Sequence, residues 1–468
     1  MSIHILDDCS LRNIFYLYRP GIFDGVDDDD MLLAGGLEWD RERWWYKLTQ
    51  VCRRWRNVIY GSATYLGLCL VCTFGTPVKD MLAHSPSFQL IIDYDNESFE
   101  NFGVTAEDED GIIHALRQRD RVRRVRLWLP IPNMQKLIPA MDGEYPVLEY
   151  LIMSYVTPWD ETPDFVLPET LQAPSLRHLM PWYIGLPIGS RLLTTATGLV
   201  TLALVVSQPA TDFQPNTLLQ WISFMPRLET LSIIAYYVAP NDHVEGQLMH
   251  APIITLPNLR WFDFRGSIPY MEAVVRGITT PCLEKLNLRF LSFNRPSVPC
   301  LRQLINTAGG LRFDSAKIMF SRNEVYLNVY PPEETEMYAL SMNFVDSRLD
   351  QQVSCMAQIL ILNSLDQVFS TVEQLTLNKE EHDRSSEVDP TQWRRLLSLF
   401  SNVKTLRVDY GLVKELSRCL RLDDGELSVD LLPELQELTY NAGDEFTSFI
   451  NARQNAGRPV SLVRIPYL

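Results

Sequence analysis

The chain has 468 residues, of which 46% are apolar and 21% charged, and its 42 basic and 58 acidic side chains give a net charge of −16. This composition supplies a large core, and its acidic balance disfavours general nucleic-acid binding, because affinity for phosphates comes mainly from lysine and arginine. No stretch approaches the ~20 uncharged apolar residues that a membrane helix requires, and residues 1–10 lack the basic start of a secretory signal. The eight cysteines are scattered, which indicates reduced thiols and an intracellular protein, cytoplasmic or nuclear.

Two helices are predicted at the start of the chain, on either side of an acidic insertion. Asp7 and Asp8 can cap a first helix over residues 11–18. Its apolar residues are Leu11, Ile14, Phe15 and Leu17. Residues 21–40 contain four glycines and four consecutive aspartates, which favours a solvated loop. A second helix is predicted over residues 41–59, where apolar residues recur at the three-to-four spacing of a stripe. They are Trp44, Leu48, Val51, Cys52, Trp55 and Ile59.

This short helical segment carries more apolar surface than it can bury alone. Chains of about 60 residues bury only ~60% of their unfolded surface, whereas each large apolar side chain contributes roughly 1.5–3 kcal/mol when it is fully buried. A partner protein or the end of the following domain must therefore cover part of the two helices.

The same residues resemble a known module. The string Ile5-Leu6-Asp7-Asp8, the pair Ile14-Phe15 and the later string Val51-Cys52-Arg53-x-Trp55-Arg56 resemble an F-box. The longer segment WWYKLTQVCRRWR at residues 44–56 is similar to mushroom-type fungal F-box proteins, as are YLGL at 65–68 and GTPV at 75–78. The resemblance covers about residues 3–95, and the family has repeats after this module.

The resemblance implies a partner and a site. It implies that the module, residues 1–62 with the insertion at 21–40, binds a Skp-type adaptor and through it a cullin-RING ubiquitin ligase. The residues that would contact the adaptor or support that contact are Ile5, Leu6, Leu11, Ile14, Phe15, Leu48, Val51 and Cys52. Trp55 would anchor the module's own core or its junction with the repeats. The alternative is that the helices only cap the end of the repeat array.

Residues 69–126 contain two further features. Cys69 and Cys72 lie in a strand-like stretch without a second cysteine pair or nearby histidines, so we expect them to fill a core rather than bind zinc. Residues 117–126 include six arginines in an alternating pattern. That pattern is typical of a strand with one solvated face, and its alternative is a basic patch that recruits an acidic partner.

A short apolar phrase, Pro-x-Leu-x-x-Leu-x-apolar, recurs through the rest of the chain. It occurs at residues 146–153, 174–179, 226–233, 257–264 and 281–288, and without the proline at 122–127, 199–204, 372–377, 403–408 and 435–440. Its first apolar residues are 23 to 31 residues apart between Val122 and Leu283, and 31 and 32 apart between Val372 and Leu435. This spacing is typical of leucine-rich repeats. We expect the proline to be the first residue of a strand.

Helical periodicity separates these phrases. Helices are predicted within residues 112–116, 217–225, 271–278, 393–400 and 412–420. One strand and one helix cannot bury their own apolar faces, whereas stacked units can. The predicted fold is therefore α/β: a short helical F-box, then residues 63–468 as a curved, irregular leucine-rich-repeat-like solenoid with a parallel sheet.

The repeat pattern is interrupted near residues 312–346. Residues 317–320 and 324–330 alternate polar and apolar side chains around Ser321-Arg322-Asn323, which predicts a hairpin. A further strand is predicted at 340–345, a helix at 351–365 and a charged loop within 376–391. The usual repeat asparagine is missing after the strands, so other turn chemistry must satisfy those backbone groups.

The sequence contains no recognised catalytic or cofactor motif. It has no G-x-S-x-G elbow, no phosphate loop and no dinucleotide fingerprint, and its histidines have no metal-binding spacing. Asp160, Glu161 and Asp164 beside Trp159 suggest a sugar site only weakly, because glycosidases need two carboxylates at a set separation. We therefore expect a non-catalytic protein without metal or cofactor: a substrate receptor of the ligase or, alternatively, a repeat scaffold without a ligase link.

Candidate residues for binding a target lie on the predicted strands and at their ends. Charged residues expected to face outward are Arg177, Glu229, Arg260, Glu284, Glu373, Arg407 and Glu437. Aromatic candidates at strand ends are Trp159, Trp182, Tyr183, Tyr236 and Tyr237, since tryptophan and tyrosine are frequent binding hot spots. Packing within a repeat is the alternative for each of them.

Overall fold

The structure is a computed structural model, and the residues that it describes are 6–19, 42–85, 88–95, 104–156, 165–187, 189–206, 214–235, 253–291, 299–311, 313–332, 337–346, 348–362, 365, 369–380, 388–420, 431–440 and 446–464. The insertion at 21–40, Ile5, Trp159 with its three carboxylates, Tyr236 and Tyr237 lie outside them. The fold is mixed α/β with mostly parallel strands. Two compact units span Met1–Leu199 and Val200–Leu468.

The first unit begins with short helices and continues with strands. Its helices are α1 (Asp8–Tyr18), α2 (Trp44–Thr49), α3 (Arg53–Gly61), α4 (Ala63–Leu66), α5 (Val78–His84), α6 (Ala106–Leu116), α7 (Ile131–Leu137) and α8 (Arg191–Thr195), with a 3₁₀ turn at Ile138–Ala140. Its strands are β1 (Cys69–Cys72), β2 (Gln89–Asp95), β3 (Val122–Pro130), β4 (Tyr150–Val156) and β5 (His178–Pro181). Each strand pairs in parallel with the next one along the chain. Cys69 and Cys72 are free thiols buried in β1, as the pattern predicts.

The second unit has more strands. They are β6 (Thr201–Val206), β7 (Thr230–Ala235), β8 (Ile254–Thr255), β9 (Trp261–Gly266), β10 (Ile278–Thr279), β11 (Lys285–Phe290), β12 (Ser315–Phe320), β13 (Glu324–Tyr330), β14 (Leu340–Val345), β15 (Gln374–Lys379), β16 (Thr405–Val408), β17 (Glu437–Tyr440) and β18 (Ser461–Arg464). Its helices are α9 (Pro215–Ile222), α10 (Ile268–Arg276), α11 (Pro299–Thr307), α12 (Leu349–Leu362), α13 (Pro390–Leu397), α14 (Tyr410–Cys419) and α15 (Thr447–Asn455).

Pairing in the second unit is parallel except at the predicted interruption. Strands β6, β7, β9 and β11 pair in parallel, as do β15 to β18. Between them, β12 and β13 form the predicted antiparallel hairpin, and β14 pairs antiparallel with β13. Strand β11 pairs with β14 and strand β12 pairs with β15, both in parallel. The sheet therefore continues through the hairpin in the order β11, β14, β13, β12, β15. The short strands β8 and β10 pair separately.

Each recurrent phrase that begins with proline forms a turn followed by a strand. In residues 281–288, Leu283 is buried before β11 begins, and Leu286 and Leu288 then point from the strand into the same core. The expectation that proline is the strand's first residue is wrong, because Pro281 lies in a turn four residues ahead of β11. A proline suits that turn because its φ is fixed.

Polar side chains join these turns to one another. The side chain of one turn donates to the carbonyl of the equivalent turn in the repeat before it: Ser175 Oγ to Pro146 O at 2.6 Å, Asn258 Nδ2 to Pro226 O at 2.8 Å and Asn402 Nδ2 to Ser370 O at 2.5 Å. Polar turn residues thus link successive turns, and these links lie before the strands rather than after them.

The helices predicted after residue 62 are present, and each begins earlier than expected. Helix α6 starts at Ala106 because Thr105 and Asp108 form a reciprocal capping box. Helices α9 and α13 start at Pro215 and Pro390, since proline is well tolerated at the first helical position. The predicted helices at 271–278, 351–365 and 412–420 correspond to α10, α12 and α14.

Candidate partner-binding surface

Helix α1 starts at a carboxylate cap. Asp7 Oδ1 accepts a hydrogen bond from Ser10 N at 2.6 Å, as expected for an N-cap. That backbone hydrogen bond holds the pKa of the Asp7 carboxyl below its ordinary value. The charge of Asp7 is therefore retained at the positive end of the helix dipole, which favours helix formation from Asp8 onward.

The inner face of α1 forms the core of the helical segment. Leu11 and Phe15 are buried, and the Phe15 ring packs edge-on against Trp55, with ring centroids 4.9 Å apart. Trp55 therefore helps to form the module's own core. A partner cannot touch Leu11 or Phe15 in this arrangement, so these two residues can only support a contact.

The outer face of α1 is apolar and exposed. The side chain of Leu17 is 82% exposed, and Ile14 and Tyr18 are also exposed. These three positions are separated by three and four residues, so they share one side of the helix. Leu17 was predicted as part of the apolar stripe, and its exposure could not be read from that pattern.

The predicted helix over residues 41–59 is two helices. Helix α2 ends at Thr49, Cys52 is extended, and its Sγ accepts the Trp55 N–H at 3.5 Å to start α3. Arg56 Nε donates to Thr49 O at 3.0 Å. The continuous-helix prediction is wrong because side chains replace the backbone bonds at this corner.

The corner between α2 and α3 exposes a second apolar position. Val51 is 59% exposed there, whereas Leu48, Cys52 and Leu6 are half-buried. Of the sequence-predicted site residues that the structure describes, Ile14 and Val51 are therefore accessible, Leu11 and Phe15 are enclosed, and the other three are intermediate. We call Ile14, Leu17, Tyr18 and Val51 the exposed apolar set.

Other contacts fix the helices to one another and to the first strands of their unit. The guanidinium of Arg54 bonds to Asp8 at 2.8 Å and to Leu6 O at 2.6 Å, which joins α3 to the start of α1. Trp45 is buried against Phe88, with ring centroids 5.4 Å apart. Such contacts give the helical segment a defined position on its unit.

The arginine-rich stretch is largely neutralised by partners within the unit. Arg123 pairs with Glu149 at 2.9 Å and Arg124 with Glu42 at 3.0 Å, while Arg126 pairs with Asp95. Arg121 donates to the Phe88 carbonyl at 2.8 Å. Because these cations already have partners, a free basic patch that recruits an acidic segment gains no support here.

The other candidates for target contacts fall into two groups. Arg177, Glu229, Arg260, Glu284 and Glu373 lie just ahead of strands rather than on them, and Arg260 with Glu284, at 3.5 Å, forms one of their ion pairs. Trp182 packs edge-on against Trp128, with centroids 6.0 Å apart, and Tyr183 has a positive φ of 62° beside Tyr155. These two aromatic residues therefore make contacts within their own unit.

No protein-family model matches this chain, and no curated protein matches it. In the described part of the chain, three or more His, Cys, Asp or Glu side chains never gather as a metal-binding group. Among the helices described, none is both long enough and apolar enough to cross a membrane.

Proposed function

We propose that the protein is the substrate-receptor subunit of a Skp–cullin–F-box type ubiquitin ligase, with an F-box at the N-terminal helices and an irregular leucine-rich-repeat-like solenoid after it. In this proposal the helices bind the adaptor and the repeats bind a protein target. The F-box-like string at residues 44–56 and the recurrent phrase support it.

The exposed apolar set carries the proposal. Leucine and tyrosine side chains that lie in water on a helix are common singly, but three on one side of α1 and a valine at the next corner form an unusual concentration within a short segment. Each stabilises a complex by up to ~1.5–3 kcal/mol when a partner covers it fully. A helical partner that covers both α1 and the α2–α3 corner would use all four.

Such a receptor contributes proximity rather than chemistry. Holding a target beside the transferring subunit raises its effective concentration there, so that an encounter in solution becomes an intramolecular one. The receptor itself then needs no nucleophile, metal or cofactor.

A non-catalytic scaffold without a ligase link is the second candidate. The contact of Trp45 with Phe88 and the ion pair of Glu42 with Arg124 favour it, because they join the helices to the first strands as a cap would be joined. Capping and adaptor binding use different sides of the segment, however. Only a binding measurement separates the two functions.

Capture of the full-length chain by a purified Skp-type adaptor tests the proposal. Leu17→Asp combined with Val51→Asp adds two charges at exposed positions, so we expect capture to be lost while circular dichroism and the melting temperature stay unchanged. Phe15 is unsuitable for this test because its burial makes a charge there unfold the helices.

The matched control is Ile253→Asp, which adds a charge at an exposed apolar residue of the second unit. It should bind the adaptor as the unaltered protein does. Absence of adaptor capture by the unaltered protein, or equal capture by the Leu17→Asp, Val51→Asp variant, would overturn the ligase proposal and favour the scaffold.

A further inference from the structure

One side of the strands in the second unit is polar. On β11, Leu286, Leu288 and Phe290 face the core, so Lys285, Asn287 and Arg289 face the other way. Register carries this polar side from strand to strand. The row level with Asn287 is Ser232, Asp263, Asn287, Ser341, Asn328, Lys317, Thr376, Arg407 and Thr439. Several members of this row are hydrogen-bonded to one another.

Two carboxylates on this side are already satisfied by neighbours. Asp263 accepts from Ser232 Oγ at 2.7 Å and from Asn287 Nδ2 at 2.6 Å, one bond to each carboxylate oxygen. Burial raises the pKa of Asp263, and this effect outweighs the charge of Arg265 and the two hydrogen bonds, which lower it. An aspartate held in this way orients the neighbouring arginine rather than binding a ligand itself.

Glu324 is satisfied in the same manner. It accepts from Tyr326 Oη at 2.5 Å and from Asn343 Nδ2 at 2.7 Å, and it pairs with Arg289. Burial opposes its ionisation, but the hydrogen bonds and the arginine outweigh burial and lower the pKa of Glu324. The glutamate is thus a fixed negative charge that holds Arg289 and Asn343 in place.

Three groups in the next row keep unused bonding capacity. Arg265, Arg289 and Asn343 are in register on the neighbouring strands β9, β11 and β14. Among the residues described, Arg265 Nε, Arg289 Nε and Asn343 Oδ1 have no hydrogen-bond partner although each atom is buried. Arg265 approaches Asp263 only to 3.7 Å, beyond hydrogen-bond distance.

The same row is accessible from solvent. The side chains of Arg265 and Arg289 are 30% and 38% exposed, whereas Asn343 is only 5% exposed and lies beside them. Arg265 and Arg289 are register partners on strands β9 and β11, whose backbones lie about 4.8 Å apart, so their side chains leave the sheet as neighbours. The row therefore offers two cationic donors and one buried acceptor to a single ligand.

We propose that Arg265, Arg289 and Asn343 form a recognition site for a peptide carboxylate, with the two guanidinium groups binding the carboxylate and Asn343 Oδ1 accepting a backbone N–H of the same peptide. The carboxylate belongs to an acidic side chain or to a C-terminus, which present the same group. This inference rests on the proposed function as a substrate receptor. It adds to that function the chemistry of the target.

The charge of the surrounding surface agrees with a carboxylate ligand. On this side of strands β6 to β17 there are five cations, Arg265, Lys285, Arg289, Lys317 and Arg407, and three carboxylates, Asp263, Glu324 and Glu437. The excess is 5 − 3 = 2 positive charges in a chain whose net charge is −16. A doubly charged phosphate would face Asp263 and Glu324 at close range, so a singly charged carboxylate fits the site better.

Fluorescence anisotropy of labelled peptides on the full-length protein tests the site. The probes are a tetraglutamate peptide with an amidated C-terminus, a glycine–serine peptide with a free C-terminus, and the same glycine–serine peptide amidated. We expect one of the first two to bind and the third not to bind, which identifies the source of the carboxylate.

Variants then locate the binding. Arg265→Gln should lower the affinity for the peptide at least about tenfold, because charge-assisted hydrogen bonds to a carboxylate are stronger than neutral ones. Asp263 keeps its bonds from Ser232 and Asn287 in this variant, so folding is preserved. Arg265→Lys keeps the charge without the planar fork and should give an intermediate loss.

The matched control is Arg407→Gln, on the same side of the sheet but away from the cluster. It should bind normally. The site would be overturned if neither carboxylate probe bound. It would also be overturned if Arg265→Gln and Arg407→Gln lost peptide affinity equally. Adaptor capture is measured separately. Peptide binding without adaptor capture would retain the site and reject the ligase role. Adaptor capture without peptide binding would retain the ligase role and reject the site.

Discussion

The N-terminal helices and the strand–turn repeats use apolar residues at similar spacing, yet they cover them differently. In the repeats, the leading leucine of each phrase is buried, as at Leu148, Leu228 and Leu283. In the helices, the same kind of periodicity leaves Leu17 and Val51 in water. Apolar spacing therefore identifies an element and its apolar side, but it does not say what covers that side.

Substitution of a repeat leucine should give the largest effect on stability. Leu286 is buried in β11 between paired strands on both sides. Leu286→Ala removes packed methyl groups and leaves a cavity, so we expect the free energy of unfolding to fall by about 2–5 kcal/mol. Urea denaturation measures this change. A loss below 1 kcal/mol would mean that the repeat core is loosely packed, which would weaken the contrast with the helices.

Asp93→Asn should make the protein more stable at neutral and higher pH. Burial raises the pKa of Asp93 to about 7, against the charge of Arg126 and with help from Asp95. Because the folded state holds a proton that the unfolded state releases, stability falls as the pH rises from about 4 to about 7. Asparagine removes this loss, worth up to roughly 4 kcal/mol above pH 7.

His178 produces the opposite pH dependence in the same unit. Burial and then the charge of Arg177 lower its pKa to about 4, so the unfolded state binds more protons between about pH 4 and pH 6.5 and stability rises over that range. The two slopes partly cancel in the unaltered protein. Thermal melts of Asp93→Asn should therefore show stability rising from about pH 4 to pH 6.5.

His178→Phe is the matched variant for this comparison, because phenylalanine can keep the stacking on Tyr150, whose ring centroid is 4.2 Å away. It should leave the Asp93 contribution unopposed by His178, so that stability between about pH 4 and pH 6.5 falls more steeply with rising pH than in the unaltered protein. Parallel pH profiles in the two variants would contradict both assignments.

Asn258→Ala should have a smaller effect, because it removes one hydrogen bond of a partly exposed turn. The bond from Asn258 Nδ2 to Pro226 O joins two successive repeats, and a typical hydrogen bond contributes about 0.5–1.5 kcal/mol. We expect a loss at the lower end of that range in urea denaturation. Asn258→Asp, which cannot donate, should behave alike, whereas Asn258→Ser should retain part of the bond. If Asn258→Ala were as stable as the unaltered protein, the side-chain hydrogen bonds between successive turns would not contribute to stability.

Ten of the 18 described strands could be predicted from the recurrent phrase, namely β3 to β7, β9, β11 and β15 to β17. Residues 281–288 predicted the strand that the structure has at Lys285–Phe290, and the alternation around Ser321 predicted the hairpin. The proline was assigned wrongly, since a fixed φ suits a turn as well as a strand start. Local chemistry alone does not distinguish the two.

The candidate site was predictable only in part, because it depends on contacts far apart in sequence. The three-to-four spacing of residues 44–59 continues through Gln50, so it gave no sign that Cys52 is extended and divides the helix. Phe15 and Ile14 are equally apolar, but the distant Trp55 covers Phe15 alone. Arg265 and Arg289 are neighbours through strand register, which only the fold reveals.

Leu17→Ala should have the smallest effect on stability, and it sharpens the contrast between the helices and the repeats most directly. The residue is 82% exposed, so its truncation removes little packing, and the free energy of unfolding should change by less than about 0.5 kcal/mol. Adaptor capture should nevertheless weaken, because the contact surface loses most of a leucine side chain. Leu11→Ala, one helical face away and buried, is the comparison and should destabilise by about 2–5 kcal/mol. If Leu17→Ala were as destabilising as Leu11→Ala, the outer side of α1 would belong to the protein's own core, and an adaptor would have no apolar surface to cover there.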